Sequence, residues 1–204
     1  MKPHLALFDL DHTLLPLDSD YAWGEFTQRI GWTDPVVFKR RNDEFYADYQ
    51  AGRLDIHEYV RFATESVRLK GQVQAEAARA QFLREVIQPA VRPEAQALIQ
   101  RHRDQGCQVM IVTATNEFVT RPIAQLFGID ELIAVELARD AQGWITGEIA
   151  GVPFHARGQG PTSATMAAGA WLGLAGRRDH LLQRFHQRPA AAGSCQPPGG
   201  HQSR

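Results

Sequence analysis

The chain has 204 residues, of which 44% are hydrophobic, and its 22 Lys and Arg residues nearly balance its 23 Asp and Glu residues. This length suits one domain with an insertion, and the apolar content can supply a hydrophobic core. The near-zero net charge gives no reason to expect binding to nucleic acid or to an acidic membrane surface, and the longest apolar runs are far too short to span a bilayer.

The cysteines and the N-terminus predict the compartment. Cys107 and Cys195 are too few for a disulfide framework and fit a reducing environment. The first apolar run begins almost at Met1, with no signal-peptide pattern before it. We therefore expect a cytoplasmic protein.

A short apolar run near the N-terminus ends in two carboxylates. Residues 4–8 predict a buried strand, because their apolar residues lack helical spacing. Asp9 and Asp11 follow, and they would share a side of the chain if the extended geometry continued past the strand end. Ligands of open α/β sheets gather outside the carboxyl ends of strands, and Mg²⁺ binds one or two carboxylates together with phosphate oxygens. The alternative is that both aspartates simply end a strand and solvate a turn.

A second segment repeats this arrangement. Residues 109–112 predict another strand, and residues 117–127 predict a helix after the short polar run that follows it. A hydroxyl in this polar run and the free N–H groups of a helix N-terminus would form a phosphate site. The alternative is that Thr115 or Asn116 is only an N-cap, and both roles can hold at once.

The stretch between these segments has a helical pattern. Aromatic and aliphatic residues recur at helical spacing from Ser19 to Leu98, and we interpret most of them as core residues. The expected helices cover residues 21–30, 37–49, 57–69 and 73–87, with breaks at Gly31, Pro35, Gly52 and Gly71. Beyond the second segment, residues 132–135 predict a strand, and Gly143 predicts a hairpin turn between two short strands.

The string from Leu5 to Leu15, with its Asp-x-Asp-x-Thr pattern, resembles the first motif of the haloacid dehalogenase (HAD) superfamily of phosphohydrolases. The resemblance implies that Asp9 is the nucleophile that takes up the phosphoryl group and that Asp11 is the general acid and base. It also implies Mg²⁺ as the cofactor, with Asp9 and Asp11 among its ligands, and a small phosphorylated metabolite as the substrate. A carboxylate nucleophile divides hydrolysis into formation and breakdown of an aspartyl-phosphate, and Mg²⁺ neutralises charge between nucleophile and phosphate.

The second segment resembles the second motif of the same family, a Ser or Thr that closes a hydrophobic strand. Thr113 matches this motif. The resemblance implies that the Thr113 hydroxyl and the Ala114 amide bind the phosphate.

The helical stretch resembles the cap of the phosphoserine-phosphatase-like branch, subfamily IB. The implied fold is α/β: a doubly wound parallel sheet with an all-helical cap inserted after the first strand. The implied boundaries are a core of residues 1–17 and 91–153 and a cap of residues 18–90. In that branch an acidic residue shortly after the second aspartate faces the substrate. Asp18 is the nearest match and Asp20 a rival, while a simple turn-and-cap role is equally open.

The resemblance stops near Pro153. The family next requires a Lys that pairs with the phosphate and the nucleophile, and then an acidic pair that anchors Mg²⁺. Residues 154–204 contain no Lys, and Asp179 is their only acidic residue. Gly and Pro are dense there, so the composition by itself predicts an aberrant, disordered tail.

The genetic code offers a sharper explanation, which is a shift of the reading frame near Pro153. Read one base later, the codons for Met166 and Ala167 give a Trp, and those for residues 158–160 permit Gly-Lys-Val. The same shift over residues 181–192 permits Phe-Tyr-Ser-Asp-Ser-Ile-Asn-Asp-Leu-Pro-Leu-Leu, which has the form of the missing metal motif. Two motifs in order and in one frame predict that the chain is the translation of a frameshifted gene.

We therefore expect a HAD phosphomonoester hydrolase by ancestry, with this chain inactive as written. In the shifted frame the lysine would stand at Gln159 and the aspartates at Arg184 and Arg188. One alternative is a non-catalytic remnant that binds phosphate or a partner through the cap. Another is a receiver-type switch phosphorylated on an aspartate, although a large insertion after Asp11 counts against that fold, whose acidic residues lie on separate strands with short connections.

Overall fold

The computed structural model describes residues 4–150, which are built around a three-stranded parallel sheet. The strands lie side by side in the order β1 (Leu5–Asp9), β2 (Gln108–Asn116) and β3 (Leu132–Val135). The segment for which we predict a frameshift, residues 154–204, lies outside the described residues.

Helices connect the strands. Seven α-helices lie between β1 and β2, and the first six are called the helical insertion below: α1 (Ser19–Arg29), α2 (Pro35–Gln50), α3 (Ile56–Ala63), α4 (Glu65–Lys70), α5 (Gln72–Phe82) and α6 (Gln88–Ala90). A π-helical turn, Leu83–Ile87, joins α5 to α6. Helix α7 (Pro93–Asp104) leads into β2, and α8 (Glu117–Leu126) joins β2 to β3. Parallel strands connected by helices confirm the predicted α/β class.

A hairpin closes the described chain. It consists of β4 (Leu137–Arg139) and β5 (Ile145–Ile149), which pair antiparallel. Gly143 has a φ of +81° in the connecting turn, where a residue without a Cβ avoids strain. Helices α3 and α4 pack against β5, so the hairpin joins the helical insertion to the rest of the fold.

The two faces of the parallel sheet are covered unequally within residues 4–150. One face belongs to the main core, where Phe8 meets His102 of α7 edge to face with 5.4 Å between ring centroids. The other face carries only a small cluster of four apolar side chains: Leu7, Met110, Val112 and Ile133. Strand β1 pairs with β2 alone in this part of the chain.

Aromatic side chains hold the helical insertion against the sheet domain. The ring of Trp23 in α1 lies 5.2 Å from that of Phe82 in α5 and 5.8 Å from that of Phe118 in α8. A second aromatic cluster packs α2 against α3 and contains Phe38, Phe45, Tyr59 and Phe62. Large buried rings of this kind dominate core energetics.

Most predicted helices and strands are observed at or near their predicted positions, and two local differences have physical reasons. Pro35 does not interrupt a helix but begins α2, where its missing N–H has no helical partner to lose, and Asp34 caps that helix. The single helix predicted over residues 57–69 is two helices that meet at Thr64. The Thr64 hydroxyl donates to the Val60 carbonyl at 2.7 Å, a side-chain bond that competes with regular helix.

Within residues 4–150 none of the helices is both long and apolar enough to cross a membrane.

Candidate active site

The chain changes direction sharply after Asp9, the last residue of β1. Leu10–Leu14 form one π-helical turn, in which Asp11 keeps an extended conformation with φ −75° and ψ 130°. His12 then has a φ of +57° and is the single non-glycine residue with positive φ between residues 4 and 150. Strand β1 therefore ends at Asp9, and the continuous extended geometry considered from the sequence does not reach Asp11, because Leu10 between the two aspartates belongs to the helical turn. A left-handed residue with a Cβ costs roughly 1–2 kcal/mol, and such strain clusters at functional sites.

Asp9 is partly buried and has one side-chain donor beside it. The Thr13 hydroxyl donates to Oδ2 of Asp9 at 3.0 Å. Burial raises the pKa of Asp9, and the hydrogen bond from Thr13 opposes that rise. The Asp-x-x-x-Thr spacing thus places a hydroxyl against the proposed nucleophile.

Asp11 is buried, and both of its carboxylate oxygens are engaged. The Ser19 backbone N–H donates to Oδ1 at 2.9 Å, and the Thr115 hydroxyl donates to Oδ2 at 3.0 Å. Burial and the nearby charge of Asp18 raise the pKa of Asp11 to about 6, against the opposing effect of these donors. Asp11 is therefore a fixed carboxyl group that can hold a proton close to neutral pH.

The C-terminal end of β2 lies beside that of β1. Asp9 is level with Val112 in the parallel register, so Thr113 follows directly at the same edge of the sheet. The pairing of β2 with β3 is irregular there, because Val112 is opposite Ile133 whereas Asn116 is opposite Val135. Residues 113–115 thus form a bulge, a feature that redirects side chains and interrupts the ladder next to active sites.

Within this bulge the side chains of Thr113 and Thr115 have different partners. Thr113 is buried, and its Oγ1 accepts the Thr115 N–H at 3.2 Å, which leaves the hydroxyl proton to donate elsewhere. Ala114 is half-buried between them. Thr115 serves Asp11 instead, a role that the sequence analysis did not assign.

Asn116 is the N-cap of α8, one of the alternatives considered from the sequence. Its Oδ1 accepts the Val119 N–H at 3.3 Å. Because the side-chain oxygen accepts this cap hydrogen bond, the amide nitrogen points away from α8. It donates to Oδ1 of Asp20 at 3.3 Å.

Asp18 and Asp20, the two candidate substrate acids, have distinct positions at the start of α1. Asp18 is the N-cap, and its Oδ1 accepts the N–H groups of Asp20 and Tyr21 at 3.0 and 2.9 Å. The turn-and-cap role of Asp18 is thus observed. Asp20 accepts a hydrogen bond from the Tyr59 hydroxyl at 2.5 Å on the oxygen that Asn116 does not use.

Several acidic side chains lie close together at this end of the sheet. Burial raises the pKa of Asp20 to about 7, and the charges of Asp18 and Asp11 add to this effect, while the Tyr59 hydrogen bond opposes it. Burial and the Asp20 carboxylate in turn raise the pKa of Tyr59 well above its usual value. None of the ion pairs observed among residues 4–150 includes Asp9, Asp11, Asp18 or Asp20.

The metal donors in the described part of the chain are incomplete. No group of three or more His, Cys, Asp or Glu side chains between residues 4 and 150 is arranged to hold a metal ion. Asp9 and Asp11 together remain compatible with Mg²⁺, which binds through one or two carboxylates and completes its shell with water and phosphate oxygens.

The structure therefore places the predicted residues on neighbouring elements and adds three that the sequence analysis missed. Asp9 is the last residue of β1 and Asp11 lies in the turn after it, Thr113 and Ala114 lie in the bulge of β2, and Asp18 caps α1. The additional residues are Ser19, Tyr59 and Thr115. Ser19 and Thr115 stand next to residues already singled out, but Tyr59 comes from a separate helix and carried no sequence signal.

Comparisons with known proteins identify the family of the chain. The family model of the haloacid dehalogenase-like hydrolases matches residues 6–185. The chain is 33% identical over 156 residues to the histidinol-phosphatase of Neisseria meningitidis serogroup C (strain 8013), an alignment that covers 76% of this chain and 70% of that protein. It is 29% identical over 163 residues to the inhibition of morphological differentiation protein of Streptomyces azureus, covering 78% of this chain but only 56% of that relative.

A solved structure shares the fold over most of its length. The crystal structure of a protein of unknown function from Bordetella pertussis Tohama I superposes with a TM-score of 0.69 at 38% identity, covering 87% of this chain and 76% of that one. With the family match and the Neisseria relative, the chain belongs to the haloacid dehalogenase-like hydrolases and is by family a phosphatase.

Proposed function

We propose that this chain descends from a Mg²⁺-dependent phosphomonoester hydrolase that works through an aspartyl-phosphate on Asp9. The observation that carries the proposal is the pairing of strand ends. Asp9 ends β1 level with Val112, so Thr113 lies at the same edge, and Thr115 of the intervening bulge holds Asp11. The proposed nucleophile Asp9, the proposed acid Asp11 and the proposed phosphate donor Thr113 thus belong to one edge of the sheet.

The proposed reaction has two steps. A carboxylate oxygen of Asp9 attacks phosphorus, the ester P–O bond breaks, and the leaving oxygen takes the proton of Asp11. Asp11, now ionised, accepts a proton from a water molecule that attacks the aspartyl-phosphate, which releases inorganic phosphate and regenerates both carboxyl groups. The Thr113 hydroxyl and the Ala114 N–H are the proposed donors to the phosphate oxygens.

Mg²⁺ is the proposed cofactor, held by Asp9 and Asp11. When bound, it supplies positive charge that neutralises the repulsion between the Asp9 carboxylate and the phosphate. The two carboxylates suit it, since neither has a cationic partner among the ion pairs of residues 4–150.

We further propose that the chain as written is inactive. Residues 154–204 offer no Lys and one acidic residue, Asp179, so the family's Lys and its second acidic metal motif are missing. Phosphoryl transfer depends on positive charge placed around the transferring group. Losing both motifs removes most of that charge and part of the metal shell.

The proposed substrate is a small phosphorylated metabolite that reaches the site below the helical insertion, which we propose acts as a cap. The Neisseria relative is named a histidinol-phosphatase, so histidinol phosphate is the first compound to test. A carboxylate-rich site also suits a substrate with a cationic amine. Here Asp18 or Asp20 would face that amine.

The test compares the chain as written with a frame-corrected chain, translated one base later from Pro153 onward. Both are assayed with p-nitrophenyl phosphate and histidinol phosphate, with Mg²⁺ and with EDTA. We expect Mg²⁺-dependent hydrolysis by the corrected chain and rates at least about 10²-fold lower for the chain as written, the loss typical of removing one key electrostatic group. Comparable activity of the two chains would contradict the proposed inactivity.

The same assay separates the alternatives. A corrected chain that fails on both substrates, while binding phosphate, would favour the non-catalytic remnant. The receiver-type switch is not favoured, because the chain belongs to the haloacid dehalogenase-like hydrolases and carries seven α-helices between β1 and β2.

A further inference from the structure

Three elements meet at the Asp20 carboxylate. Asp20 lies in the first turn of α1, Tyr59 in α3 of the helical insertion, and Asn116 at the junction of β2 and α8. One Asp20 oxygen accepts from the Tyr59 hydroxyl and the other from the Asn116 amide. These residues are 39 and 96 positions away from Asp20 in the sequence, so the contacts are tertiary.

Asn116 connects this junction to the proposed phosphate site. Its side-chain oxygen caps α8 through the Val119 N–H, and its carbonyl accepts the Thr120 hydroxyl at 3.0 Å. An amide with its oxygen committed in this way can turn only its nitrogen towards Asp20. Asp20 thereby fixes Asn116, the residue that directly follows the bulge of residues 113–115.

Tyr59 is held just as firmly on the other side. Its ring packs against Phe45 at 5.5 Å and Phe62 at 6.5 Å within the aromatic cluster of the helical insertion. The hydroxyl is therefore presented to Asp20 by a packed helix and not by a mobile loop.

We propose that Asp20 is a positioning residue that ties the helical insertion to residues 113–116 by accepting hydrogen bonds from Tyr59 and Asn116. A displacement of α3 is then transmitted to the bulge that holds Asp11 through Thr115 and presents Thr113. The catalytic meaning of this link rests on the proposed function, but the link itself does not.

The experiment is amide hydrogen exchange of the full chain, read by mass spectrometry in peptides that cover residues 113–120. Tyr59→Phe removes one hydroxyl from α3 and should raise exchange in these peptides about threefold to tenfold, the effect of losing one net hydrogen bond. Peptides from α7 serve as the internal reference and should not change. Tyr46→Phe is the matched control, because Tyr46 lies in α2 of the same insertion with 51% of its surface exposed.

Variants of Asp20 distinguish positioning from simple burial. Asp20→Asn keeps an oxygen for Asn116, and its amide nitrogen can donate to the Tyr59 hydroxyl, so exchange should stay within about twofold of wild type. Asp20→Leu has similar bulk without polar atoms and should raise exchange at least as much as Tyr59→Phe. Adding Tyr59→Phe to Asp20→Leu should then change nothing more, because the connection is already broken.

Two outcomes would overturn the proposal. One is unchanged exchange at residues 113–120 in a folded Tyr59→Phe protein. The other is equal exchange in Asp20→Asn and Asp20→Leu. No phosphatase activity is needed for these measurements, so they can fail or succeed independently of the proposed function.

Discussion

Asp9 and Asp11 are two residues apart, yet their surroundings differ in kind. Asp9 is partly buried beside a single hydroxyl, whereas Asp11 is 7% exposed with a donor on each oxygen. Two donors fix the orientation of Asp11 at the strand end, and its pKa of about 6 allows it to give up and regain a proton near neutral pH. Different environments for neighbouring carboxyl groups are how acid and nucleophile roles are separated.

The first prediction separates these two roles in the frame-corrected chain. Asp9→Asn should abolish hydrolysis, because an amide cannot form the acyl-phosphate. Asp11→Asn should slow hydrolysis of alkyl phosphates by about 10²–10⁴-fold, the usual contribution of a general acid, but spare part of the transfer from p-nitrophenyl phosphate, whose leaving group needs no proton. Asp34→Asn, in the exposed cap of α2, is the control and should retain activity. Substantial turnover by the Asp9→Asn protein would contradict the nucleophile assignment.

The second prediction concerns Asp20 and the pH dependence of stability. Its pKa is about 7 in the folded chain and near 3.8 when unfolded, so the folded state binds the proton more tightly. This contribution to stability is complete below about pH 4 and is lost as the pH rises towards 7. Asp20→Asn carries no titrating group and should gain stability relative to wild type by at least about 1 kcal/mol between pH 5 and 7.5, since one pKa unit corresponds to about 1.4 kcal/mol.

Urea unfolding at several pH values, with EDTA present, measures the difference in the free energy of unfolding between Asp20→Asn and wild type. Asp55→Asn is the control, because the pKa of Asp55 is lowered by backbone hydrogen bonds and the group stays ionised over this range. The free energy of unfolding of Asp55→Asn should depend on pH between 5 and 7.5 in the same way as that of wild type. If the free energy of unfolding of Asp20→Asn also followed the pH dependence of wild type, Asp20 would be ionised in the folded chain at pH 5.

At the scale of elements, hydrophobic periodicity was enough to predict the helices and strands, but not the local backbone features inside and between them. The strand at residues 132–135 has the bounds read from its apolar run, and Gly143 lies in the expected hairpin turn. The break at Thr64 coincides with a side-chain hydrogen bond, the bulge after Val112 with a change of register and the turn at His12 with a positive φ. No pattern of apolar residues reports any of these features. The same holds for the site: its strand-end aspartates could be read from the sequence, but the contact of Tyr59 with Asp20 could not.

The third prediction tests the turn that follows Asp9. His12 is exposed with a φ of +57°, so His12→Gly should leave stability unchanged or raise it by up to about 1 kcal/mol, whereas His12→Val should lower it by about 1–2 kcal/mol. The same pair at His57, within helix α3, should give the opposite order, because glycine costs more than valine in a helix. Urea denaturation of the four variants checks this. A His12→Val protein as stable as His12→Gly would mean that the left-handed turn is not maintained.

At the scale of the whole molecule, the described residues form part of a sheet with one thinly covered face. Within residues 4–150, β1 pairs with β2 alone, and the cluster opposite the main core comprises Leu7, Met110, Val112 and Ile133. Folded domains are stable by only about 5–15 kcal/mol, so further strands and covering side chains would matter. Residues 154–204, which follow in the sequence, contain no Lys and a single acidic residue, Asp179.

The last prediction concerns the gene itself. Shifting the reading frame by one base near Pro153 should restore a Gly-Lys-Val at residues 158–160 and an Asp-x-x-x-Asp at positions 184–188, because the codons of both segments permit these readings in a single frame. Sequencing the DNA from the codon for Phe154 onward shows directly whether the shifted frame encodes these two motifs. The corrected chain should also aggregate less than the chain as written at equal concentration, since within residues 4–150 β1 pairs with β2 alone, and an unpaired strand edge favours association between molecules. Static light scattering of the two purified chains compares them. A DNA sequence that encodes neither motif in that frame would remove the frameshift explanation, and residues 154–204 would then have to be taken as the native C-terminal sequence.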